Sequence, residues 1–300
     1  MNFSDSTVVD DSSLQIPDSV NFIFMLLFSM LMFCYLLVFP IFKYICKINE
    51  EQDQKDKLYP VIIRLFAMVK TFYYLFIPLT ASVIIANKPK FGYIKLLIIL
   101  ICYFLFIIAQ AFNIVVFLVA VEKWSGHMFP NFAQYVTSAR EVLLYKTWIL
   151  YIFLVLTELG IYVGISCTVS KSALDYVFGS ILFCMAMSSV LSALLHLSIL
   201  NKIRKLAYLE STQLNNLYIY VFWLTITVVV FKAIYIPFFT IIYLIFLRQF
   251  SLYVLIVVIG CVEGLTTPFI IETVYIICNI GEIYTVDGKK ITEVLRLYLK

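Results

Sequence analysis

A bundle of seven membrane-crossing α-helices is the fold that this 300-residue chain predicts. Three observations carry the expectation. Seven apolar stretches fill most of the length, each longer than the ~20 residues that cross a ~30 Å hydrocarbon core. The composition is 63% hydrophobic against 13% charged, with a mean hydropathy of +1.00. The stretches are continuous and rich in Leu and Ile, whereas barrel strands would alternate in polarity over ~10 residues. Lipid forces backbone polar groups to pair within the chain, so the all-α class follows.

The spans are expected at 20–42, 58–85, 96–121, 147–169, 176–200, 217–247 and 252–278, within a bundle covering 20–280. Residues 1–19 form a tail with Asp5, Asp10, Asp11 and Asp18 and no Lys or Arg. A cleavable signal peptide would begin with basic residues, so the first span is expected to be an uncleaved anchor. Asn2-Phe3-Ser4 in this tail is a glycosylation sequon, a pattern short enough to arise by chance. Cations set the orientation. The first, third and fifth connections and the C-terminal tail hold 14 Lys and Arg; the opposite side holds 5. The N-terminus is therefore expected outside and the C-terminus in the cytosol. The net charge of +4 is a topology signal and does not point to nucleic acid. The connections are too short for a separate domain. Residues 281–300 place Ile291, Val294, Leu295 and Tyr298 on one helical face, which suits either an amphipathic helix on the inner leaflet or a frayed tail.

Enzyme signals are missing. Two histidines, His127 and His196, make no His-Glu-x-x-His pair, and no phosphate-cradling Gly loop or nucleophile elbow is visible. The seven cysteines show no metal-ligand spacing, and no cofactor is implied. Cys102 and Cys167 both fall toward the outer half of the bundle; whether they bridge is left open.

Charges inside the spans are more telling, because each costs at least ~2.5 kcal/mol at mid-bilayer and normally faces the interior. Arg64 lies near enough to the cytosolic end of the second span to snorkel. Lys70, Glu158, Lys232 and Glu263 lie near mid-span, two cations and two anions, so pairing among them is expected. Glu263 is placed to reach Lys70 or Lys232. Such a pair is either a static strut or a lock that breaks when the helices move. Gln110 and Asn113 on the third span need interior partners. Gly160-Ile-Tyr-Val-Gly164 on the fourth matches a small-xxx-small pattern, expected to pack closely within the bundle. The sixth span contains Pro237 after Tyr235 and Ile236; the seventh contains Thr266-Thr267-Pro268. Both prolines are expected to kink their helices, with the threonine hydroxyls available to the freed carbonyls. Glu122-Lys123-Trp124 closes the third span as a local switch, a partner for the sixth span, or an interfacial anchor.

An ordered set of short motifs runs from Phe39 to Asn279. Phe39-Pro40-Ile41-Phe42 closes the first span, followed by Asn49-Glu50-Glu51-Gln52-Asp53. Gln110-Ala111-Phe112-Asn113 is followed by Phe117-Leu118-Val119-Ala120-Val121-Glu122-Lys123-Trp124, then Phe129-Pro130. Thr267-Pro268 precedes Tyr275, Cys278 and Asn279. In this order the chain resembles the seven-helix G-protein-coupled chemoreceptors of nematodes known as serpentine receptor class Z. The resemblance implies detection of a small-molecule ligand in the outer half of the bundle and coupling to a heterotrimeric G protein inside. Candidate ligand contacts are Gln110, Lys232, Tyr235 and Glu263. The docking face would be Glu122, Lys123 and Trp124 with Lys202, Arg204 and Lys205; that last cluster is equally explained by topology. The family's usual Gln-Arg-Phe reads Glu122-Lys123-Trp124 here, and Lys lacks the planar fork of Arg. Against the broader rhodopsin-like pattern, Thr267 replaces Asn before the proline and Tyr235 stands where Trp is usual. A plasma-membrane receptor of sensory cells is the expectation. A transporter, a ligand-gated channel and a family member that folds without signalling are the alternatives.

Overall fold

The structure is a computed structural model, and it describes residues 18–56, 58–86, 92–168, 171–206, 216–246 and 252–286. Eight helices are present among them and no strand: α1 (Asp18–Asp53), α2 (Tyr59–Ala86), α3 (Gly92–Met128), α4 (Pro130–Tyr145), α5 (Thr147–Thr168), α6 (Lys171–Leu206), α7 (Asn216–Phe246) and α8 (Leu252–Val286). Seven of these, all but α4, are long and apolar enough to cross a membrane. Their number is the seven that the sequence predicts. Most run further than expected, because helices continue past the apolar stretch into polar residues; α1 ends at Asp53 and α3 at Met128.

The helix α4 was not anticipated, since residues 130–145 lack a long apolar run. Its start is set by Pro130 in the first turn, where the missing N–H costs nothing. Its end falls at Lys146, whose N–H reaches the Val142 carbonyl, and Thr147 opens α5 at once. Val136, Arg140 and Leu144 turn inward, four residues apart along one face. At the α1–α2 turn, Asp56 Oδ1 accepts the Leu58 N–H at 2.8 Å.

Burial separates the helices. In the most apolar windows of α3 and α8, 67% and 56% of residues are enclosed by protein, against 11% in α5. The sequence explains α3: it is apolar around its whole circumference, as a central helix must be. Glycines bring α8 against it. A Cβ at Gly264 would lie 3.0 Å from the Leu105 backbone carbon, and one at Gly260 would lie 3.2 Å from the Phe106 ring. The small-xxx-small contact of this bundle is thus Gly260/Gly264 on α8. The expected close packing at Gly160 and Gly164 is not observed: a Cβ at either would meet nothing within 4 Å. That segment of α5 is turned away from the bundle, with Leu159, Tyr162 and Val163 exposed beside it.

Aromatic side chains fill the space between α1, α2 and α8. Tyr35 is buried against Phe72, Phe76 and Phe269, and Tyr275 packs edge-on against Phe42, Phe66 and Tyr220. Edge-to-face pairs of this kind add about 0.5–1.5 kcal/mol beyond burial. The Tyr275 hydroxyl donates to Asp53 Oδ2 at 2.7 Å, tying α8 to the end of α1.

Candidate functional site

Four helices deliver polar side chains to one enclosed point. Lys232 on α7 and Glu263 on α8 form an ion pair at 2.6 Å, their side chains 7% and 5% exposed. The Lys232 ammonium also donates to Asn113 Oδ1 on α3 at 3.0 Å and to the Met185 carbonyl on α6 at 3.2 Å, with Ser189 Oγ at 3.0 Å. Asn113 Nδ2 donates to Glu263 Oε1 at 3.0 Å and to the Ala109 carbonyl at 2.7 Å. Ser189 Oγ lies 2.7 Å from Asn113 Oδ1. An ammonium has three protons to give, and the acceptors around it use them all. A buried charge pair is tolerable in a low-dielectric interior only with such satisfaction. The Tyr235 hydroxyl lies buried beside the Glu263 carboxylate with no partner in hydrogen-bond geometry.

One turn from Asn113, Gln110 Nε2 donates to Glu158 Oε1, bridging α3 to α5. Glu158 Oε2 is buried without a hydrogen-bond partner. A groove of about 490 Å³ runs here between α3, α5 and α6, and both Gln110 and Asn113 border it together with Glu158. This volume suits a drug-sized molecule.

The four expected intramembrane charges therefore separate. Lys232 and Glu263 meet. Glu158 pairs with an amide, not a cation. Lys70 makes no ion pair among the described residues and is exposed on α2. Its helical phase decides this: Leu65, Met68, Val69 and Phe72 form the inward face, and Lys70 falls beside it. Arg64 reaches the Tyr145 carbonyl at 3.5 Å, a weak contact with the end of α4.

Glu122 is not turned toward α7. It accepts from Arg140 Nη1 at 2.5 Å and from Thr137 Oγ1 at 3.0 Å, both on α4. The unforeseen α4 supplied these partners. Trp124 packs edge-on against Phe129, and Lys123 is half-buried. The side chains of Lys202, Arg204 and Lys205, like that of Cys167, lie outside the described residues, as do Asn2 and the tail from Asp287 onward. Cys102 has Cys261 of α8 as its sulfur neighbour.

Pro237 lies on the exposed side of α7 and Pro268 is buried in α8. The Thr266 and Thr267 hydroxyls bond the Val262 and Glu263 carbonyls, so they do not serve the Gly264 carbonyl that Pro268 leaves without its N–H. The next rung of the ladder, between the Leu265 carbonyl and the Phe269 N–H, is entered from α1. The Tyr35 hydroxyl donates to the Leu265 carbonyl and accepts from the Phe269 N–H at 3.1 Å.

Sequence reasoning flagged Asn113 but did not identify Ser189, Arg140, Tyr35 or Glu272 as partners. Glu272 is wholly buried on α8 and accepts from the Tyr73 hydroxyl at 3.2 Å. Phase relative to Glu263 did not flag it: Glu272 lies nine residues on, five half-turns along the helix and thus on the opposite face of α8.

Residues 25–280 match the family model described as serpentine type 7TM GPCR chemoreceptor Srz. No curated protein and no solved structure matches the chain.

Proposed function

The chain belongs to the Srz family of serpentine seven-transmembrane chemoreceptors, and from that premise we propose that it binds a small organic cue and signals to a heterotrimeric G protein. The observation that carries the reading is the contact between groove and charge network. Asn113 borders the groove between α3, α5 and α6 and also bonds both Lys232 and Glu263. A molecule pressing on Asn113 and Gln110 acts on a point where, among the described residues, α3, α6, α7 and α8 are joined by polar bonds. Lys232, Tyr235 and Glu263 respond to the ligand with Gln110, either by contact or through Asn113.

Binding shifts a packing equilibrium only as far as the ligand prefers one packing to the other. A preference of about 100-fold, or ~2.7 kcal/mol, moves a modest equilibrium. The α7 and α8 prolines supply the places where helix halves pivot. The receiving surface on the G-protein side is the end of α3, Glu122, Lys123 and Trp124, with α4 clipped to it through Arg140, and the basic residues Lys202, Arg204 and Lys205. The N-terminus is outside, with Asn2 glycosylated, and the C-terminus is cytosolic. The receptor works in the plasma membrane of sensory cells.

The test uses the full chain in lipid nanodiscs with a purified heterotrimeric G protein and a library of small organic molecules. Agonist-stimulated nucleotide exchange is the expected result. Ligand-dependent ion or solute flux in liposomes without G protein, and no exchange with it, would overturn the reading in favour of a permeation pathway.

A further inference from the structure

Among the described residues, Glu158 is a carboxylate buried within the membrane-spanning part with no cation in ion-pair range. It is 6% exposed, yet only one of its oxygens is bonded, to the Gln110 amide. The Tyr103 hydroxyl is its other polar neighbour, near enough to interact with the carboxylate, and Oε2 has no partner in hydrogen-bond geometry. A buried carboxylate without a counter-charge is costly. Glu263, by contrast, has its ammonium from Lys232. Glu272 is as isolated from cations as Glu158, but it is fully enclosed.

Glu158 differs from Glu272 in having space beside it. It lines the groove of about 490 Å³, whose walls are apolar, from Phe153, Ile161 and Val177 among others. The groove opens on the bundle's outer surface, where Phe153 is 63% exposed and Cys184 is exposed. On a helix that crosses a membrane, that surface faces acyl chains. A molecule therefore reaches Glu158 sideways, from lipid.

We propose that this groove is the binding site of a lipophilic primary amine, taken from the bilayer, whose ammonium pairs with Glu158 while its apolar body lies between α5 and α6. Each part of the groove matches one part of such a ligand. The free carboxylate oxygen calls for a cationic donor. The apolar walls call for a hydrocarbon or aryl body of drug size. The lipid-side mouth selects molecules that partition into membrane before they bind. Gln110 holds the other oxygen and passes the ligand's presence to Asn113 one turn away. This names the ligand class of the receptor proposed above and rests on that reading.

The experiment measures binding without G protein, so a failure of coupling and a failure of this site are separable. The full chain in nanodiscs is labelled with a tritiated arylalkylamine carrying a ring diazirine, and in parallel with the corresponding alcohol. Saturable labelling by the amine on α5 and α6, competed by unlabelled amine and not by the alcohol, is expected. Glu158→Gln keeps the shape and the bond with Gln110 and should weaken amine binding at least tenfold. Cys184→Trp fills the mouth without touching the carboxylate and should reduce the extent of labelling of the correctly folded protein. Equal competition by amine and alcohol, amine affinity unchanged in Glu158→Gln, or saturable labelling confined to other helices would each overturn the proposal.

Discussion

Lys232 on α7 holds Glu263 on α8 at 2.6 Å, and both side chains are almost fully enclosed. Breaking a buried pair from one side leaves an uncompensated charge, at a cost of about 3–5 kcal/mol. Lys232→Met should therefore lower thermal stability sharply. Removing both charges with Lys232→Met and Glu263→Met together should restore much of the loss, since desolvation of the pair is costly in itself. Thermal unfolding of the four proteins in detergent micelles reads the coupling. Purely additive losses would show that the two side chains do not act as a pair.

Glu263→Gln is the gentler probe. The amide keeps an acceptor for Asn113 Nδ2 but removes the charge that holds Lys232 to α8. If the pair restrains the resting packing, basal signalling should rise in this variant at equal surface expression. An unchanged basal output and dose response would mark the pair as a strut only.

The spans were legible because lipid imposes a single rule, length of apolar run, on every one of them. Partners were less legible. Lys70 and Lys232 look alike in sequence, yet one is exposed and the other meets Glu263; the difference is the angle each takes around its helix, which depends on neighbours far along the chain. The glycines mislead in the same way. Gly160 and Gly164 have the packing spacing but face outward, while Gly260 and Gly264 share that spacing and receive α3. The helix α4 was hidden because its stability comes from Glu122 and from a short inward face rather than from hydropathy.

Gly264 gives this contrast a measurable form. An added Cβ would sit 3.0 Å from the Leu105 backbone carbon and 3.1 Å from its oxygen, and backbone atoms do not yield cheaply. Overpacking of this sort costs about 1–3 kcal/mol. Gly264→Ala should lower the melting temperature and surface expression. Gly160→Ala, with open space around it, should be neutral or slightly stabilising, within about 1 kcal/mol, through the gain in helix propensity. Equal effects of the two substitutions would contradict the α3–α8 contact.

Arg140 makes the ionic half of the link between α4 and α3, at 2.5 Å from Glu122. With Arg140→Ala only Thr137 still bonds that carboxylate. Loss of a charge-assisted bond is worth about 1.5–3 kcal/mol, and here the loss is local to α4. Amide exchange across residues 130–145 should speed by tenfold or more while the interior of α3 keeps its protection. Arg140→Lys should recover part of the slowing. Unchanged exchange in Arg140→Ala would mean that the Thr137 bond and the apolar contacts at Val136 and Leu144 hold α4 without the ion pair.

Tyr35 links α1 to the proline segment of α8. In a straight helix the Phe269 N–H would bond the Leu265 carbonyl four residues back; the Tyr35 hydroxyl contacts both. The hydroxyl therefore takes the role of a rung in the ladder beside Pro268, a position where a side chain can enter because proline has already removed the neighbouring bond. Tyr35→Phe keeps the ring packing against Phe72, Phe76 and Phe269 and deletes only this rung, at a cost of about 1–3 kcal/mol. Pro268→Ala should let α8 close its own ladder and leave the Tyr35 hydroxyl with less to do. The two substitutions should thus be less than additive: Tyr35→Phe made on the Pro268→Ala background should cost markedly less than on the native chain. A double-mutant cycle of melting temperatures checks this, and strict additivity would show that the hydroxyl and the proline act on α8 independently.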